Sequence, residues 1–473
     1  MEETQKSEGK LLEEKLFNKR KCGWTESSDE KIKLIMNFAD EYMYFMNNSK
    51  IEREVSIFAK DVLEKNGFKN IETLEHISIG DKVYFINREK SVYAAIIGKE
   101  GLEAGLNIVG AHMDSPRLDL KPNPIYEDSG FVYLNTQYYG GIKNYQWTTI
   151  PLAIHGVIVK ANGEKTTFKL GEDENDPIFT ITDLLPHLAR EQLKKPLANG
   201  VEGESLDLLI GSIPYKDESV SQKVKLNILK LLNDKYGITE RDFLSAEIEL
   251  VPAFKARSLG FDRSMVAAYG QDDKVCCFTG LRGLVDMKET PEKTAVLILA
   301  DKEEIGSMGN TGMESHMFDF FISEMLNKLG VNRPNLLDKV FCFSKMLSSD
   351  VDAGFDPIYA SVSDKTNAGY VGKGISLNKY TGARGKSGAS DANAEYVAWV
   401  RNVLEKNDIK YQVAELGKVD IGGGGTIAYI LANKGTDVID CGVPVLSMHA
   451  PYEVTSKFDI YSAFETYKAF WKE

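Results

Sequence analysis

The sequence lacks any long apolar run. No stretch of about 18 apolar residues, the length that a transmembrane helix needs, occurs in the 473-residue chain. The opening stretch MEETQKSEGKLLEEKLFNKRKCGW also lacks the apolar core that a secretory signal peptide requires. The sequence therefore excludes a membrane-spanning protein of the helical kind, and we expect a cytoplasmic chain with no membrane partner.

Cysteine pairs and excess positive charge are also missing. The five cysteines form no Cys-x-x-Cys pair, which is typical of reduced cytosolic thiols. Acidic residues outnumber basic ones by 70 to 57, which gives a net charge of -13 and an isoelectric point of ≈ 5.2. Because polyanions repel an acidic chain, this composition excludes nucleic acid and anionic membranes as default partners.

The sequence pattern changes twice along the chain. Up to about residue 115, and again from about 258, short apolar runs alternate with helical patterns, which favours an α/β fold. Residues 116–257 instead hold short strands between turn-rich pieces such as KPNPIYEDSG and PLANGVEGES. The sequence therefore predicts an α/β domain, formed by residues 1–115 and 258–473, with a β-rich insert at 116–257.

Acidic residues follow the apolar run TAVLILA (294–300). This run is short and rich in Val, Leu and Ile, which predicts a buried strand. Glu303 and Glu304 follow it after Asp301 and Lys302. Carboxylates at the end of a buried strand need a partner, because burial removes their hydration. A solvated loop and a metal site are the two interpretations of this stretch.

Other strand-like runs also end in metal-binding residue types. LNIVGAHMDSP gives His112 and Asp114, and a further acid pair begins with Asp272. Asp350 and His449 follow two later runs. Open α/β sheets collect functional groups at the carboxyl ends of their strands. Histidine together with carboxylate suits zinc, manganese or cobalt, and two metals roughly 3.5–4 Å apart need a bridging carboxylate.

Each of these residues also has a plain structural interpretation. A single histidine is more often structural than a metal ligand, and most Glu-Glu pairs are solvated. His112 and Asp114 form a stronger signal, because an Asp two residues away can accept the second imidazole N–H and fix the ligating tautomer. The five sites together favour a metal centre.

Five motifs resemble the M18 metalloaminopeptidases, the family of aspartyl aminopeptidase and aminopeptidase I. In order along the chain they are GAHMDSPRLDLKPNP, DDKVCCFTGL, ADKEEIGSMG, SSDVDAGFDP and LSMHAPYEV. The resemblance implies a mixed-sheet α/β zinc-peptidase catalytic domain, with residues 116–257 as an inserted dimerisation domain. It also implies a homo-oligomer, commonly a dodecamer, that removes the first residue of peptides with a free N-terminus.

The resemblance also implies roles for individual residues. Two divalent ions would bind, zinc first, with cobalt and manganese as alternatives. Glu303 would be the general base that helps to make a water molecule nucleophilic, and Asp114 would be the carboxylate behind His112. The metal ligands would be His112 and Asp350 for one ion, Glu304 and His449 for the other, and Asp272 as the bridge between them.

Substrate contacts are implied at four positions. Gly425 and Thr426 lie in GGGGT, which matches a Gly-Thr loop of the family, although a flexible turn is an equal interpretation. His155 resembles a family histidine that reaches a neighbouring subunit's active site, and a buried structural histidine is the alternative. Ser376 stands where acid-preferring members carry Lys, and Asp356 where they carry His. Both departures argue against a strict preference for acidic residues.

Two other functions stay open. A dinuclear carboxypeptidase or N-acyl-amino-acid deacylase would need a cation for the substrate carboxylate, and Arg384 is the one candidate. An oligomeric scaffold with an inactive site is the non-enzymatic alternative. The apparently complete set of ligands argues against it.

Overall fold

The computed structural model describes residues 6–473. Strands make up three sheets in this part of the chain. In chain order they are β1 (Lys69–Asn70), β2 (Lys82–Asn87), β3 (Ser91–Ile96), β4 (Leu106–His112), β5 (Arg117–Asp128), β6 (Phe131–Tyr139), β7 (Leu152–Val159), β8 (Lys165–Leu170), β9 (Leu208–Gly211), β10 (Ala246–Pro252), β11 (Arg257–Leu259), β12 (Met265–Ala268), β13 (Thr294–Ala300), β14 (Lys345–Ser348), β15 (Asp352–Ala353), β16 (Ile375–Asn378), β17 (Tyr411–Ala414), β18 (Asp437–Gly442), β19 (Pro444–Leu446) and β20 (Glu453–Ser456).

Helices cover both faces of the largest sheet. In chain order the α-helices are α1 (Glu8–Leu16), α2 (Gly23–Glu26), α3 (Asp29–Asn48), α4 (Glu52–Lys65), α5 (Leu197–Gly200), α6 (Lys223–Tyr236), α7 (Gln271–Val285), α8 (Met317–Lys328), α9 (Leu336–Phe343), α10 (Ala383–Lys386), α11 (Ala394–Lys406), α12 (Ala428–Ala432) and α13 (Lys457–Lys472). None of the helices in residues 6–473 has the length and apolarity needed to span a bilayer.

The largest sheet has nine strands in the order β1-β2-β3-β13-β4-β14-β18-β16-β17. Its four central strands, β13, β4, β14 and β18, run parallel, while β3 and β16 pair antiparallel to them. The fold is therefore the predicted mixed-sheet α/β type. The apolar run at 294–300 is confirmed as a strand, and each of its seven residues is buried.

The alternation of side chains along β13 explains why this run is apolar from Ala295 to Ala300. Ala295, Leu297 and Leu299 pack into a core shared with α3, α7 and α13. Val296 and Ile298 point the other way, into a core shared with α8 and α9. Successive residues of a strand face opposite sides of the sheet, so a strand covered on both faces needs apolar residues at every position.

The middle of the chain forms a separate six-stranded sheet. Its order is β8-β7-β10-β5-β6-β9, so every strand comes from residues 117–252. The apolar core of this sheet draws almost all of its buried members from the same region. A third sheet has the strand order β11-β12-β20-β19-β15. Its strand β20, near the end of the chain, pairs with β12, which precedes α7.

A buried ionic cluster joins the six-stranded sheet to helix α4. His155, on β7, is 0% exposed. Its Nδ1 lies 2.9 Å from Oε1 of Glu54, on α4, and its Nε2 lies 3.1 Å from Oε1 of Glu172. Lys50 donates a further hydrogen bond to Glu172 over 2.6 Å. Burial lowers the pKa of His155, but the hydrogen bonds that its ring donates to Glu172 and Glu54 outweigh this effect and raise the pKa above 6.5.

We expect His155→Gln to destabilise the protein more at pH 6 than at pH 9. A raised folded-state pKa gives stability that is fully present below the unfolded value of about 6.5 and is lost as pH rises through the folded pKa. Thermal unfolding of the variant and the unaltered chain at both pH values measures the difference. Replacement of the exposed His187 by Gln is the control. A destabilisation that is equal at both pH values, or larger at pH 9, would contradict the assignment.

Candidate metal centre

The predicted metal-binding residues meet at the carboxyl ends of the central parallel strands. His112 is the last residue of β4. Glu303 and Glu304 begin the short helical turn that follows β13, and Asp350 lies two residues beyond β14. This is the edge at which open α/β sheets place functional groups, because parallel strands end there together.

Asp272, in the first turn of α7, lies between the two histidines. Its Oδ1 is 3.3 Å from His112 Nε2, and its Oδ2 is 3.2 Å from His449 Nε2. Each imidazole has one further carboxylate close by. Asp350 Oδ1 is 3.6 Å from His112 Nε2, and Glu304 Oε2 is 3.6 Å from His449 Nε2.

These contacts form two groups that could each hold a metal ion. One group is His112, Asp272 and Asp350, and the other is Asp272, Glu304 and His449. Within each group the possible ligand atoms lie within 4.8 Å of one another. Asp272 belongs to both groups, so the five residues form a pair of sites with one shared carboxylate.

The chemistry of this donor set fits a divalent cation. Oδ1 of Asp272 and Oε1 of Glu304 are buried and accept no hydrogen bond, which leaves two oxygen atoms for a ligand. Burial, together with a neighbouring carboxylate, raises the pKa of Glu304 and of Asp350. Burial lowers the pKa of His449, but Asp272 and Glu304 outweigh it and raise the pKa to about 10. The carboxylates of the cluster thus favour positive charge beside them, which a divalent metal ion would supply.

Glu303 faces the centre without belonging to either group of ligands. Its Oε2 lies 4.0 Å from His112 Nε2. Burial, reinforced by the charge of Asp350, raises the pKa of Glu303 to about 8. This carboxylate is therefore placed beside the candidate metal sites and can still take up or release a proton.

Asp114 holds the turn that carries the two glutamates. It is 0% exposed. Its Oδ1 accepts the backbone N–H of Glu303 at 3.2 Å, and its Oδ2 accepts that of Glu304 at 3.1 Å. The same carboxylate lies 3.4 Å from His112 Nδ1, whereas the backbone oxygen of Asp114 is closer, at 3.0 Å. Asp114 thus orients His112, Glu303 and Glu304, whereas the sequence predicted that it would orient His112 alone.

Glu453 has a matching role that sequence reasoning missed. This buried residue of β20 accepts the backbone N–H of Asp272 with Oε2 at 3.0 Å and that of His449 with Oε1 at 2.8 Å. The sequence offers only a weak signal, because Glu453 sits four residues after His449 in the motif LSMHAPYEV. Its partner Asp272 is 181 residues away.

A cavity of ≈ 430 Å³ opens onto the acidic cluster. Gly425 and Thr426, which we expect to contact substrate, are among its lining residues, and the Thr426 hydroxyl donates to Asp440 Oδ1 at 2.7 Å. The side chains that form an apolar part of its wall are Leu416, Tyr429 and Met448. The other lining residues are Asp272, Glu303, Glu304, Gly306, Ser307, Asp350, Val351, Asp352, Ala353, Asn378, Thr381, Gly423, Gly424 and His449.

Two residues expected at the substrate do not line this cavity. Ser376 is 0% exposed and donates to Asp352 Oδ2 at 2.7 Å. Asp352 and Asn378 do line the cavity and bond to each other at 3.0 Å, so they cover Ser376. His155 is buried in the ionic cluster with Glu54 and Glu172, as its alternative interpretation held, and its ring nitrogens are turned to its own chain.

The mixed α/β sheet, with histidines and carboxylates gathered at its strand ends, defines the chain as a metallohydrolase. A family model described as aminopeptidase I zinc metalloprotease (M18) matches residues 45–471. A probable M18 family aminopeptidase 1 from Clostridium acetobutylicum is 52% identical over 459 residues, which cover 96% of this chain and 98% of the relative. The chain therefore belongs to the M18 family and is a metalloaminopeptidase.

Solved structures agree with this assignment. The crystal structure of an M18-family aminopeptidase from Thermotoga maritima matches with a TM-score of 0.93 at 44% identity, over 96% of this chain and 100% of that one. A structure described as the mApe1 dodecamer of S. cerevisiae matches with a TM-score of 0.74 at 22% identity, over 92% of this chain and 96% of that one. At that identity the second match supports the fold alone.

We expect Asp272→Ala to abolish binding of both metal ions. The change removes the one carboxylate that both ligand groups share. Metal content after equilibration with zinc and gel filtration, measured by inductively coupled plasma mass spectrometry, tests this. Asp262→Ala, in an exposed turn, is the control. Retention of the unaltered metal content in Asp272→Ala would show that the shared residue is misassigned.

Proposed function

We propose that the chain is a dinuclear metalloaminopeptidase that removes the N-terminal residue from peptides, with Glu303 as general base. The observation that carries this proposal is the position of Asp272 between His112 and His449, at 3.3 and 3.2 Å. A carboxylate with one oxygen toward each imidazole is what two adjacent metal sites require. Zinc suits these ligands, and so do cobalt and manganese.

The residues of the chain divide the chemical work. When bound, divalent ions supply the Lewis acidity that activates water and polarises a peptide carbonyl. Glu303 accepts a proton from the attacking water at Oε2 and returns it to the nitrogen of the leaving peptide. Asp114 keeps Glu303 in place through its backbone N–H. Burial of Glu303 favours its protonated form, which assists the uptake of the proton from water.

The charge of the cavity favours a free amino terminus as the ligand. Glu303, Glu304 and Asp350 line the cavity, and the lining residues within 6–473 include no Lys or Arg. An α-ammonium group is stabilised by a carboxylate such as Glu303, whereas no cationic side chain of this lining would hold a substrate carboxylate. Arg384 lines a neighbouring cavity instead, which weakens the carboxypeptidase and deacylase alternatives. The assembled ligands and base argue against an inactive scaffold.

We expect Glu303→Gln to bind metal normally and to lower kcat by about 100- to 10,000-fold, the usual contribution of a general base. The amide keeps the shape of the side chain but cannot accept the proton. Turnover of Leu-p-nitroanilide and metal content are measured on the same samples. Glu289→Gln, at an exposed position, serves as the control. Near-normal turnover would remove Glu303 as the base.

We expect free-amine substrates with neutral side chains to be cleaved fastest. An Asp or Glu side chain would enter a cavity lined by acids, whereas Leu or Met would contact Leu416, Tyr429 and Met448. The test compares aminoacyl-p-nitroanilides of Leu, Met, Lys, Asp and Glu with their N-acetylated partners, after loading with zinc, cobalt or manganese. Faster cleavage of the acetylated partners would favour a deacylase. Preference for Asp or Glu would contradict the expectation that the acidic cavity disfavours acidic side chains.

We also propose that residues 116–257 form an inserted domain through which the chain assembles into a homo-oligomer, with a dodecamer as the expected form. The dodecameric mApe1 structure shares the fold. Exposed leucines support an interface in this region, because apolar patches on a surface mark contact sites. Leu184, Leu185, Leu188, Leu193 and Leu197 are 49–75% exposed.

We expect Leu188→Asp combined with Leu193→Asp to lower the molar mass in solution. Charge at two exposed leucines would repel a partner subunit without disturbing the core of the chain. Light scattering after size exclusion should give about twelve times the 52.7 kDa chain mass for the unaltered protein. The exposed Leu11 and Leu12, changed to Asp, provide the control. An unchanged mass in the Leu188/Leu193 variant would place the interface elsewhere.

A further inference from the structure

We propose that Tyr139 and Arg117, both on the six-stranded sheet, are positioning residues that set the place of Glu303 and Glu304 through Asp114. The inference rests on the proposed function, in which Glu303 is the base and Glu304 a metal ligand. It assigns a role in catalysis to a sheet that otherwise lies outside the metal centre.

The first contact joins Tyr139 to Asp114. The Tyr139 hydroxyl donates to Asp114 Oδ2 at 2.9 Å. This oxygen also accepts the N–H of Glu304, at 3.1 Å, and the other carboxylate oxygen accepts the N–H of Glu303, at 3.2 Å. Three donors therefore fix the plane of one buried carboxylate. Without the hydroxyl, the carboxylate is free to turn about its Cβ–Cγ bond and to weaken both bonds to the turn.

The second contact holds Tyr139 in place. Tyr139 and Arg117 are direct cross-strand partners on β6 and β5. The guanidinium carbon lies 3.9 Å from the centre of the Tyr139 ring, within the range of a cation–π contact. The ring cannot turn away without losing this contact. The orientation of the hydroxyl donor is thus set by the guanidinium.

Arg117 is itself fixed by three carboxylates. It is 5% exposed. Its Nε lies 2.8 Å from Asp119 Oδ1 and 3.0 Å from Glu249 Oε2, and Nη1 lies 3.5 Å from Glu52 Oε2. Asp119 and Glu249 belong to the six-stranded sheet, whereas Glu52 is the first residue of α4. A continuous set of contacts therefore runs from α4 and the sheet, through Arg117 and Tyr139, to the candidate base.

Tyr139→Phe tests this inference, because it removes the hydroxyl and keeps the ring on Arg117. We expect kcat for Leu-p-nitroanilide to fall about tenfold, the usual effect of losing a hydrogen bond to a charged group, with little change in KM or thermal midpoint. Hydrogen–deuterium exchange of the metal-free protein should become faster in a peptide that covers 301–307. Tyr138→Phe is the matched control, since Tyr138 is the preceding residue on β6 and is 49% exposed.

Equal kcat and equal exchange at 301–307 in the Tyr139 and Tyr138 variants would overturn the inference. A fall in kcat with unchanged exchange would also overturn it, because the turn would then not be the element that moves. If the unaltered chain cleaves no substrate, the proposed function fails, and the exchange measurement still decides whether Tyr139 holds the turn.

Discussion

The metal centre depends on two buried carboxylates that bind backbone rather than metal. Asp114 accepts the N–H groups of Glu303 and Glu304, and Glu453 accepts those of Asp272 and His449. These four residues come from three separate stretches of the chain, and no continuous element could bring them together. Hydrogen bonds to a charged acceptor contribute about 1.5–3 kcal/mol each. Four such bonds fix the backbone of Glu303 and of three ligands, Asp272, Glu304 and His449. The backbone N–H of His112 is held by another buried carboxylate, Asp273 Oδ2, at 3.2 Å.

The same arrangement explains why the centre needs positive charge. Two like charges 4 Å apart repel by about 4 kcal/mol at an effective dielectric constant of 20. Asp272, Glu303, Glu304 and Asp350 lie together in one buried cluster, and burial raises the pKa of all of them except Asp272. Divalent ions at the two ligand groups would offset this repulsion, which supports the proposed metal sites.

The sequence predicted those features of the fold that depend on residues close together in the chain. The run at 294–300 is a buried strand because six of its seven residues are apolar, and the position of His112 at a strand end follows from the apolar run before it. The mixed α/β fold and the family follow from motifs in order. Contacts between distant residues were not predictable: Tyr139 lies 25 residues from Asp114, and Glu453 lies 181 from Asp272. Ser376 was misplaced because its burial depends on Asp352 and Asn378, which no local pattern reveals.

Anomalous X-ray diffraction from crystals of the zinc-loaded protein tests most directly whether two metal ions share Asp272. Data collected on both sides of the zinc absorption edge locate each ion without reference to activity. We expect two anomalous peaks per chain, one beside His112 and Asp350 and one beside His449 and Glu304, with the Asp272 carboxylate between them. A single peak, or two peaks that do not flank Asp272, would contradict this expectation.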